Sequence, residues 1–316
     1  MLYSYLIQRF LLMFLTLLGM SIIIFVLLRL VPGNIVDIMF DSAGFVDPDE
    51  KKTIEKELGL DLPIYEQYYH WIVGLVSFDL GFSYVSEMPA VDEIGPRIPI
   101  TAKLAALSLF FSILFGLPLG VISAVKQNTA LDYALRVVSL SGLSLPSFWL
   151  ALLILMACVS YTGAIPIYTE TPETLWDELL LYLLPSAAVG FRASALIMRL
   201  TRSSMLEVMR QDYIRTAMSK GASDNAINYK HALRNAVLPV TTIIGIEAAF
   251  LIGGLMITET VFNIPGVAHF LVEAILMRDY PIVQSLVMFI AIIVVVINFL
   301  TDLAYAALDP RIKYSD

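Results

Sequence analysis

A basic, polar stretch between two apolar blocks is the first place where this sequence could do specific work. It runs from Arg199 to Arg234 and holds seven lysines and arginines. Its centre reads Asp-Tyr-Ile-Arg-Thr-Ala-Met-Ser-Lys-Gly from Asp212 to Gly221, and it closes on His-Ala-Leu-Arg-Asn-Ala-Val-Leu-Pro at Pro239. A short helix with an apolar face and a cationic rim suits insertion into the cleft of a partner protein. The stretch therefore predicts a docking surface.

Local signals within this stretch predict a short helix, a tight turn and a second helix. The carboxylate of Asp212 can cap the first amide groups of a helix, and Lys220 suits the negative end of the helix dipole. Gly221 can adopt the left-handed conformation that ends a helix, and Ser223 can cap the second helix, which leads to Pro239. The expected apolar face of the first helix consists of Ile214, Ala217 and Met218, at spacings i, i+3 and i+4. The alternative is a basic loop that satisfies topology and contacts anionic lipid.

Two charged residues lie inside apolar blocks, Glu247 in the fifth block and Arg192 in the fourth. At a helical rise of about 1.5 Å per residue, both are roughly 10–15 Å from the inner edge of the membrane. An intramembrane charge faces a bundle interior or water, because exposure to lipid costs several kcal/mol. One hypothesis is a mutual ion pair that fixes the two helices. The others are that Glu247 lines a pathway and meets the amino group of a substrate, or that it is protonated or contacts another subunit.

Residues typical of catalysis are sparse in this chain. The sequence has no G-x-x-x-x-G-K-[ST] phosphate loop, and no H-E-x-x-H motif or cysteine-rich metal cluster, so we expect it to bind no cofactor and no metal itself. An intramembrane enzyme that uses His269, Glu273 and Asp279 is the enzymatic alternative, although their spacing fits no metal motif. The single cysteine, Cys158, excludes an intrachain disulfide and is expected to be a small buried apolar residue.

The elements that must position these residues are membrane helices. Hydrophobic residues form 58% of the chain and charged residues 15%, against about 45–50% and about 25% in soluble domains. The apolar blocks reach the roughly 20 residues that span a bilayer, and they are too long and too uniform for barrel strands. We therefore predict an all-α integral membrane protein with six transmembrane helices. The blocks are Phe10–Leu28, Leu104–Val125, Ala134–Ser160, Leu179–Met198, Ala236–Ile257 and Val283–Ala307.

The distribution of charge predicts that both termini are cytoplasmic. The internal segments Lys126–Arg136, Arg199–Arg234 and the tail after Leu308 hold two, seven and two basic residues, whereas the external loop Tyr161–Glu178 holds none. This agrees with the positive-inside rule. The net charge of −8 comes mainly from the external face. The first block is longer than the core of a signal peptide and is expected to remain as a helix.

The predicted organisation has a peripheral first helix (residues 1–30), an extracytoplasmic segment packed on the bundle (31–103), a five-helix core (104–308) and a cytoplasmic tail (309–316). The core contains the cytoplasmic loop 199–238.

Within the extracytoplasmic segment, after a break at Val31–Asn34, Asp49–Leu58 is predicted to be helical. The aromatic Leu62–Gly74 is predicted to lie at the membrane interface or to pack on the bundle.

Three features of the core could bend or open the chain. Gly116-Leu-Pro-Leu-Gly120 lies in the second block and Pro146 in the third; we expect helix packing and a kink, with a gating hinge as the alternative. Gly245, Gly253 and Gly254 in the fifth block are expected to permit close helix approach. The stretch Glu259–Pro281 predicts a re-entrant or scoop-like helix at the outer mouth.

The Asp212–Pro239 segment is similar to the cytoplasmic EAA loop of permease subunits of binding-protein-dependent ABC importers. Arg215-Thr216-Ala217 stands where that family has Glu-Ala-Ala, Gly221 stands at its glycine, and Met218-Ser219 replaces the commoner Arg-Ala. The likeness extends over nearly the whole chain and indicates the dipeptide and oligopeptide branch. It rests also on Tyr213-Ile-Arg-Thr-Ala, His231-Ala-Leu-Arg-Asn-Ala, Leu58-Gly-Leu-Asp-Leu-Pro63, Asp79-Leu-Gly81, Thr258-Glu-Thr-Val-Phe262, Arg278-Asp-Tyr-Pro281 and Asp309-Pro-Arg-Ile312.

The resemblance implies a type I ABC importer permease fold, called MetI-like, whose first helix is peripheral. It implies a homologous second permease subunit, two cytoplasmic ATPase subunits that bind ATP and Mg, and an extracytoplasmic peptide-binding protein. In that family the loop forms a coupling helix seated in a groove of the ATPase. This assigns the contact in this chain to Arg215, Thr216, Ala217, Lys220 and Gly221.

The predicted function is that of the permease subunit of an ATP-driven importer of di- or oligopeptides in a prokaryotic plasma (inner) membrane. The chain itself is predicted not to be an enzyme. Membrane lipid is a further expected partner, and no nucleic acid is expected. Permeases for nickel chelates, glutathione or oligosaccharides share the fold and are alternatives. An autonomous channel or secondary transporter is the alternative of a different class; inverted repeats would support it, and none is evident.

Overall fold

The computed structural model describes residues 2–30, 36, 48–57, 59–83, 85–163, 167–168 and 174–308. The predicted break at 31–34, the tail 309–316 and parts of the loop 161–178 lie outside these residues. Within them the chain is mainly helical, with five single helices long and apolar enough to cross a membrane and a bent pair of helices as a sixth candidate. The predicted all-α membrane fold is confirmed.

Helices and two short strands make up the described chain. The strands are β1 (Phe82–Ser83) and β2 (Met88–Pro89). The helices are α1 (Leu2–Leu30), α2 (Pro48–Glu57), α3 (Ile64–Val76), α4 (Ala90–Ile94), α5 (Ile98–Val125), α6 (Ala130–Ser144), α7 (Ser147–Thr162), α8 (Leu175–Val208), α9 (Asp212–Ser219), α10 (Leu233–Gly254), α11 (Met256–Val261), α12 (Val267–Leu276) and α13 (Tyr280–Leu308). A 3₁₀ turn, Gly95–Arg97, precedes α5, and a π-helical turn, Ala226–Ala232, precedes α10.

The first helix lies at the edge of the bundle. It packs on α13, where Arg9 and Asp302 form an ion pair at 3.1 Å. At the other end of α1, Phe25 meets the ring of Tyr68 edge-on and stacks on Trp71, with centroid distances of 5.3 and 6.0 Å. The aromatic helix α3 is therefore attached to the bundle through α1.

The centre of the bundle is the pair α5 and α8, which pack along most of their length. A Cβ atom added to Gly116 would lie 2.8 Å from the Cβ of Ile197, and one added to Gly120 would lie 2.6 Å from the Cβ of Thr201. Small residues at such positions let helix backbones approach closely in a membrane. The structure thus gives both glycines a packing role, and α5 has no break between them at Pro118.

The predicted third span is not a single helix. Helices α6 and α7 meet at an angle of 105°. Leu145 is extended, with φ −85° and ψ 130°, because the ring of Pro146 disfavours helical geometry in the preceding residue. The prediction of one kinked helix over 134–160 is therefore wrong, because the chain forms two separate helices on either side of Pro146.

Another extensive helix contact joins α10 and α13. Gly245 lies so close to Thr301 that a Cβ has no room, whereas a Cβ added to Gly253 would have no neighbour within 4 Å and one added to Gly254 would meet only Phe250 of its own helix. Of the three glycines expected to permit close approach, Gly245 alone does so among the described contacts.

The two ends of the bundle are built differently. We call the end that carries α9 the α9 end, and the opposite end the α12 end. At the α12 end, the short apolar helix predicted within Glu259–Pro281 is present as α12. It packs on α13, and the Oγ of Ser285 donates to the carbonyl of Leu80, which holds the β1–β2 hairpin against the same helix.

Candidate functional site

The predicted docking helix is present as α9, directly after α8. It begins at Asp212 and ends at Ser219, and Gly221 has a φ of 79°, as the left-handed stop predicted for it requires. The predicted cap is wrong, because Asp212 is the first helical residue and the cap position belongs to Gln211, which makes no side-chain capping bond. The side chain of Asp212 instead lies 3.6 Å from Arg215 in an exposed ion pair.

The apolar face of α9 points toward its own chain. Ile214 is fully buried, whereas Met218 is 48% exposed and Ala217 is half-buried. The prediction of an apolar face offered to a partner is therefore wrong for Ile214, whereas Met218 remains exposed. Ile214 belongs to a cluster formed with Val121, Ala124, Met205, Ile227, Ala232 and Ala236.

Four of the five residues predicted to contact a partner are exposed on α9 or directly after it, and the fifth, Ala217, is half-buried. Arg215, Thr216, Lys220 and Gly221 are exposed. The side chain of Arg215 is 74% exposed, and the hydroxyl of Thr216 donates back to the carbonyl of Asp212. The face that a partner could contact is thus mainly polar and cationic, with Met218 as an exposed apolar residue beside it.

A second contact fixes α9 relative to α10. The side-chain amide of Asn235 donates to the hydroxyl of Tyr213 at 2.8 Å and to the carbonyl of His231 at 3.1 Å. Between the two helices, the carbonyl and hydroxyl of Ser223 accept from Ile227 and Ala226, which confirms the predicted cap of the second helix. Helix α9 is therefore held by its own chain on two sides.

A buried ionic cluster that the sequence analysis missed lies beside α9. Asp132 is fully buried and accepts from Nε and Nη2 of Arg202 at 2.8 and 3.0 Å. It also accepts from the hydroxyl of Ser123 at 2.6 Å and from the amide of Asn128 at 3.0 Å, and Arg136 lies 3.5 Å away. The cluster joins α8 to the turn between α5 and α6. The position of Asp132 beside an apolar block was the one sign of this cluster in the sequence. Its partner could not be inferred in the same way, because it is 70 residues away.

The two intramembrane charges predicted from the sequence are brought together. Nη1 of Arg192 lies 3.4 Å from Oε2 of Glu247, and the guanidinium also lies over the ring of Phe250, 4.7 Å from its centroid. The carboxylate side chain is 5% exposed and the arginine side chain 37%. The structure therefore contains the ion pair that was one of the hypotheses, and the arginine is its more accessible member.

Another buried carboxylate, Glu259, lies at the α12 end and was also missed. It accepts from the hydroxyl of Thr101 at 2.6 Å and from the amide of His269 at 2.8 Å. The hydroxyl of Thr101 in turn accepts from the amide of Val267 at 2.8 Å, so the two side chains together cap α12. A Cβ on Gly266 would collide with the carboxylate.

Burial is the dominant influence on the two carboxyls at this end. Burial raises the pKa of Glu259, and its hydrogen bonds with Thr101 and with the amides of His269 and Ala268 only partly offset this effect. Burial likewise raises the pKa of Asp279, which accepts from the hydroxyl of Ser83. Both groups favour their protonated form more than an exposed carboxyl does.

Two of the three residues of the enzymatic alternative are in contact, and the described side-chain bond of the third goes elsewhere. Nε2 of His269 lies 3.3 Å from Glu273, but Asp279 is engaged by Ser83. In the described part of the chain, no group of three His, Cys, Asp or Glu residues is placed to hold a metal ion. The geometry therefore offers a docking helix and an intramembrane ion pair as its candidate sites.

Comparison with known sequences gives a consistent result. Residues 116–314 match the profile of the binding-protein-dependent transport system inner membrane component, and residues 1–105 match the N-terminal profile of the same system. The chain is 37% identical to the dipeptide transport system permease protein DppB of Alkalihalophilus pseudofirmus, over 98% of this chain and 99% of the relative. It is 34% identical to DppB of Escherichia coli K12, over 95% of each, and 35% identical to the glutathione transport system permease protein GsiC of the same strain, over 98% and 99%.

Proposed function

Because this chain belongs to the family of binding-protein-dependent transport system inner membrane components, we propose that it is one of two permease subunits in an ATP-driven importer of small peptides. A homologous permease completes the membrane part, two ATPase subunits bind ATP and Mg, and an extracytoplasmic binding protein delivers the peptide. The chain itself is a multi-pass membrane protein that serves as a transport subunit.

The α9 end is proposed to be cytoplasmic. Basic side chains are concentrated there, and basic residues are retained on the cytoplasmic side of short loops. The pair of Arg9 and Asp302 joins the first turns of α1 to the last turns of α13, so both ends of the described chain lie on one side. The basic residues near α9 are Arg199, Arg202, Arg210, Arg215 and Lys220.

The single observation that carries the proposal is the placement of α9. It is a helix outside the main bundle, anchored through Ile214 in the core of its own chain, with its cationic face exposed. A helix anchored in this way can transmit a displacement, imposed by a partner on its exposed side, to the bundle that contacts its buried side. We assign the contact with an ATPase subunit to Arg215, Thr216, Ala217, Lys220 and Gly221.

The cluster around Asp132 supports this role. It ties the end of α8, from which α9 projects, to the turn between α5 and α6. A displacement of α9 would therefore carry these three helices together, as a rigid group in a two-state change between inward-open and outward-open forms.

The substrate is proposed to be a di- or oligopeptide, with glutathione as the second candidate. The relatives named for dipeptides are 34–37% identical and the relative named for glutathione is 35% identical, so identity does not separate the two. Both ligands are small peptides that carry at least one carboxylate and one ammonium group. A direct measurement of uptake separates them.

The test is uptake by liposomes that contain the whole transporter with its binding protein and internal ATP. We expect accumulation of a radiolabelled dipeptide that requires ATP and that excess unlabelled dipeptide abolishes. Labelled glutathione, a nickel chelate and an oligosaccharide are measured in parallel. Uptake of one of these three without dipeptide uptake would replace the substrate but keep the permease role.

The control separates driven transport from passive leakage. Liposomes that contain the two permease subunits alone are expected to take up no peptide. If they move peptide down its gradient without ATPase subunits, the chain is a channel or secondary transporter, and the proposed coupling is wrong.

A further inference from the structure

Helix α8 and the turn that follows it carry one accessible polar face along a segment that is otherwise largely buried. The residues of this face are separated along the chain by 7, 4, 4 and 3 positions, which places their side chains on one side of a helix. At Arg192 this side does not suit lipid, because charged side chains at membrane depth face water or protein. The face consists of Arg192, Arg199, Ser203, Glu207 and Arg210.

The accessible face of α10 continues this surface toward the α12 end. Ile246, Phe250 and Gly253 are exposed and share one side of the helix, and Ile257 of the following helix α11 is exposed as well. The two faces meet where Arg192 lies over Phe250. The joint surface is therefore cationic toward the α9 end and apolar toward the α12 end, with an arginine at the boundary.

The arginine at this boundary has spare binding capacity. A guanidinium has five N–H donors in a planar fork that matches a carboxylate in two parallel bonds. Among the described contacts Arg192 uses one of them, at 3.4 Å to Glu247, which is longer than the roughly 2.7–2.9 Å of a strong charge-assisted bond. Glu247 lies behind it and is nearly inaccessible.

We propose that Arg192 is a binding group for the terminal carboxylate of a transported peptide, and that Glu247 occupies it when no peptide is present. This inference rests on the proposed peptide import. A ligand that supplied only a carboxylate would strand Glu247 as an unpaired charge in the membrane, which is costly. A zwitterionic peptide supplies an ammonium group as well, so it replaces the pair without leaving either charge alone.

The first test measures access to Arg192 in the assembled transporter. Phenylglyoxal, a neutral arginine reagent, is applied in the absence of nucleotide, and modification of each arginine is quantified by mass spectrometry. We expect millimolar dialanine to slow modification of Arg192 severalfold and dialanine amide to leave it unchanged. Arg199 and Arg210, on the same face, are internal controls whose modification neither compound should slow.

Three outcomes would overturn the carboxylate site. Equal protection by dialanine and its amide would show that the carboxylate is not recognised. Absence of protection would show that the peptide does not reach Arg192. Failure of Arg192 to react while Arg199 reacts would show that the guanidinium is closed to the aqueous phase.

The second test separates binding from a purely structural ion pair. Arg192→Gln is expected to reduce dipeptide uptake about tenfold, the effect of losing one charge-assisted hydrogen bond. The double variant Arg192→Gln/Glu247→Gln removes both charges and leaves none unpaired. A structural pair predicts recovery of uptake in the double variant, whereas a carboxylate site predicts that uptake stays low.

These results also distinguish this inference from the proposed function. If the wild-type transporter imports no peptide, the proposed substrate class is wrong. If it imports peptide and the double variant recovers wild-type uptake, the importer function stands and only the carboxylate site at Arg192 is wrong.

Discussion

The two ends of this bundle each bury a carboxylate, but they compensate it differently. At the α9 end, Asp132 receives two bonds from the guanidinium of Arg202. At the α12 end, Glu259 receives bonds from a hydroxyl and from backbone amides, all formally neutral donors. The carboxylate at the α9 end is thus hydrogen-bonded to a full opposite charge, whereas the carboxylate at the α12 end is hydrogen-bonded to uncharged dipoles.

The difference suits the two ends to different work. A buried pair with two parallel bonds fixes relative orientation and is costly to break, which suits the proposed role of this end in passing on a displacement. A carboxylate held by neutral donors is less strongly fixed in its charged form, because burial raises the pKa of Glu259. Substitutions at the two ends should therefore differ in their effect on stability, from a large loss at Asp132 to almost none on the exposed face of α9.

Removing the charge at the α9 end should have the largest effect. Asp132→Asn leaves Arg202 in a nearly buried position without its counter-charge, and breaking such a pair costs about 3–5 kcal/mol. We expect a clear fall in the thermal unfolding midpoint of the purified transporter, together with loss of uptake. Arg136→Gln is the matched control, since the side chain of Arg136 is more exposed than that of Arg202 and lies farther from Asp132 at 3.5 Å; its effect should be clearly smaller. Equal effects of the two variants would show that the Arg202 pair has no special role.

Filling the space beside Glu259 should have the next largest effect. Gly266→Ala places a methyl group against the carboxylate, and overpacking of this kind costs about 1–3 kcal/mol. Gly19→Ala is the control, because no atom lies within 4 Å of the added methyl. The thermal unfolding midpoint should fall for the first variant alone. An unchanged midpoint for Gly266→Ala would mean that the contact between Glu259 and the start of α12 is loose.

The pH dependence of stability should come from the α12 end. A carboxyl whose pKa is raised in the folded state contributes stability that is full below its ordinary pKa and is lost as pH rises through the raised pKa. The unfolding midpoint should therefore fall as pH is raised above the ordinary range of carboxyl groups. Glu259→Gln should flatten this slope without abolishing it, since Asp279 shifts in the same direction. A slope that is unchanged in the variant would locate the sensitivity elsewhere.

Substitutions on the exposed face of α9 should change stability least. Arg215 and Lys220 lie on the surface, and exposed ion pairs contribute about 0–1 kcal/mol. We expect Arg215→Ala/Lys220→Ala to leave the unfolding midpoint of the isolated permease within experimental scatter. A large loss of stability would show that this face is structural.

The sequence predicted α9 well as an element and poorly as a surface. Gly221 and the spacing of polar residues are local signals, so the presence and end of the helix could be predicted. Which side is buried depends on Met205 and Val121, which come from other helices and meet Ile214 only in the folded chain. The bend at Pro146 shows the same limit, because a proline signals a kink but neighbouring helices set its angle.

The buried charges show what the sequence could and could not predict about the sites. Arg192 and Glu247 were found because charged residues stand out inside apolar blocks, and the structure pairs them. Asp132 and Glu259 lie at the margins of such blocks, where a charge looks ordinary. Their partners Arg202 and Thr101 are 70 and 158 residues away, so no local pattern could link them.

The central claim is that the ATPase subunits act on this permease through the exposed face of α9. The most direct measurement is the amount of ATPase subunit that co-purifies with the two permeases, compared between the wild type and Arg215→Ala/Lys220→Ala at equal permease yield. We predict that the double variant loses most of the bound ATPase and its ATP-driven uptake while its unfolding midpoint is unchanged. Retention of both the ATPase subunits and uptake at wild-type levels would contradict the account.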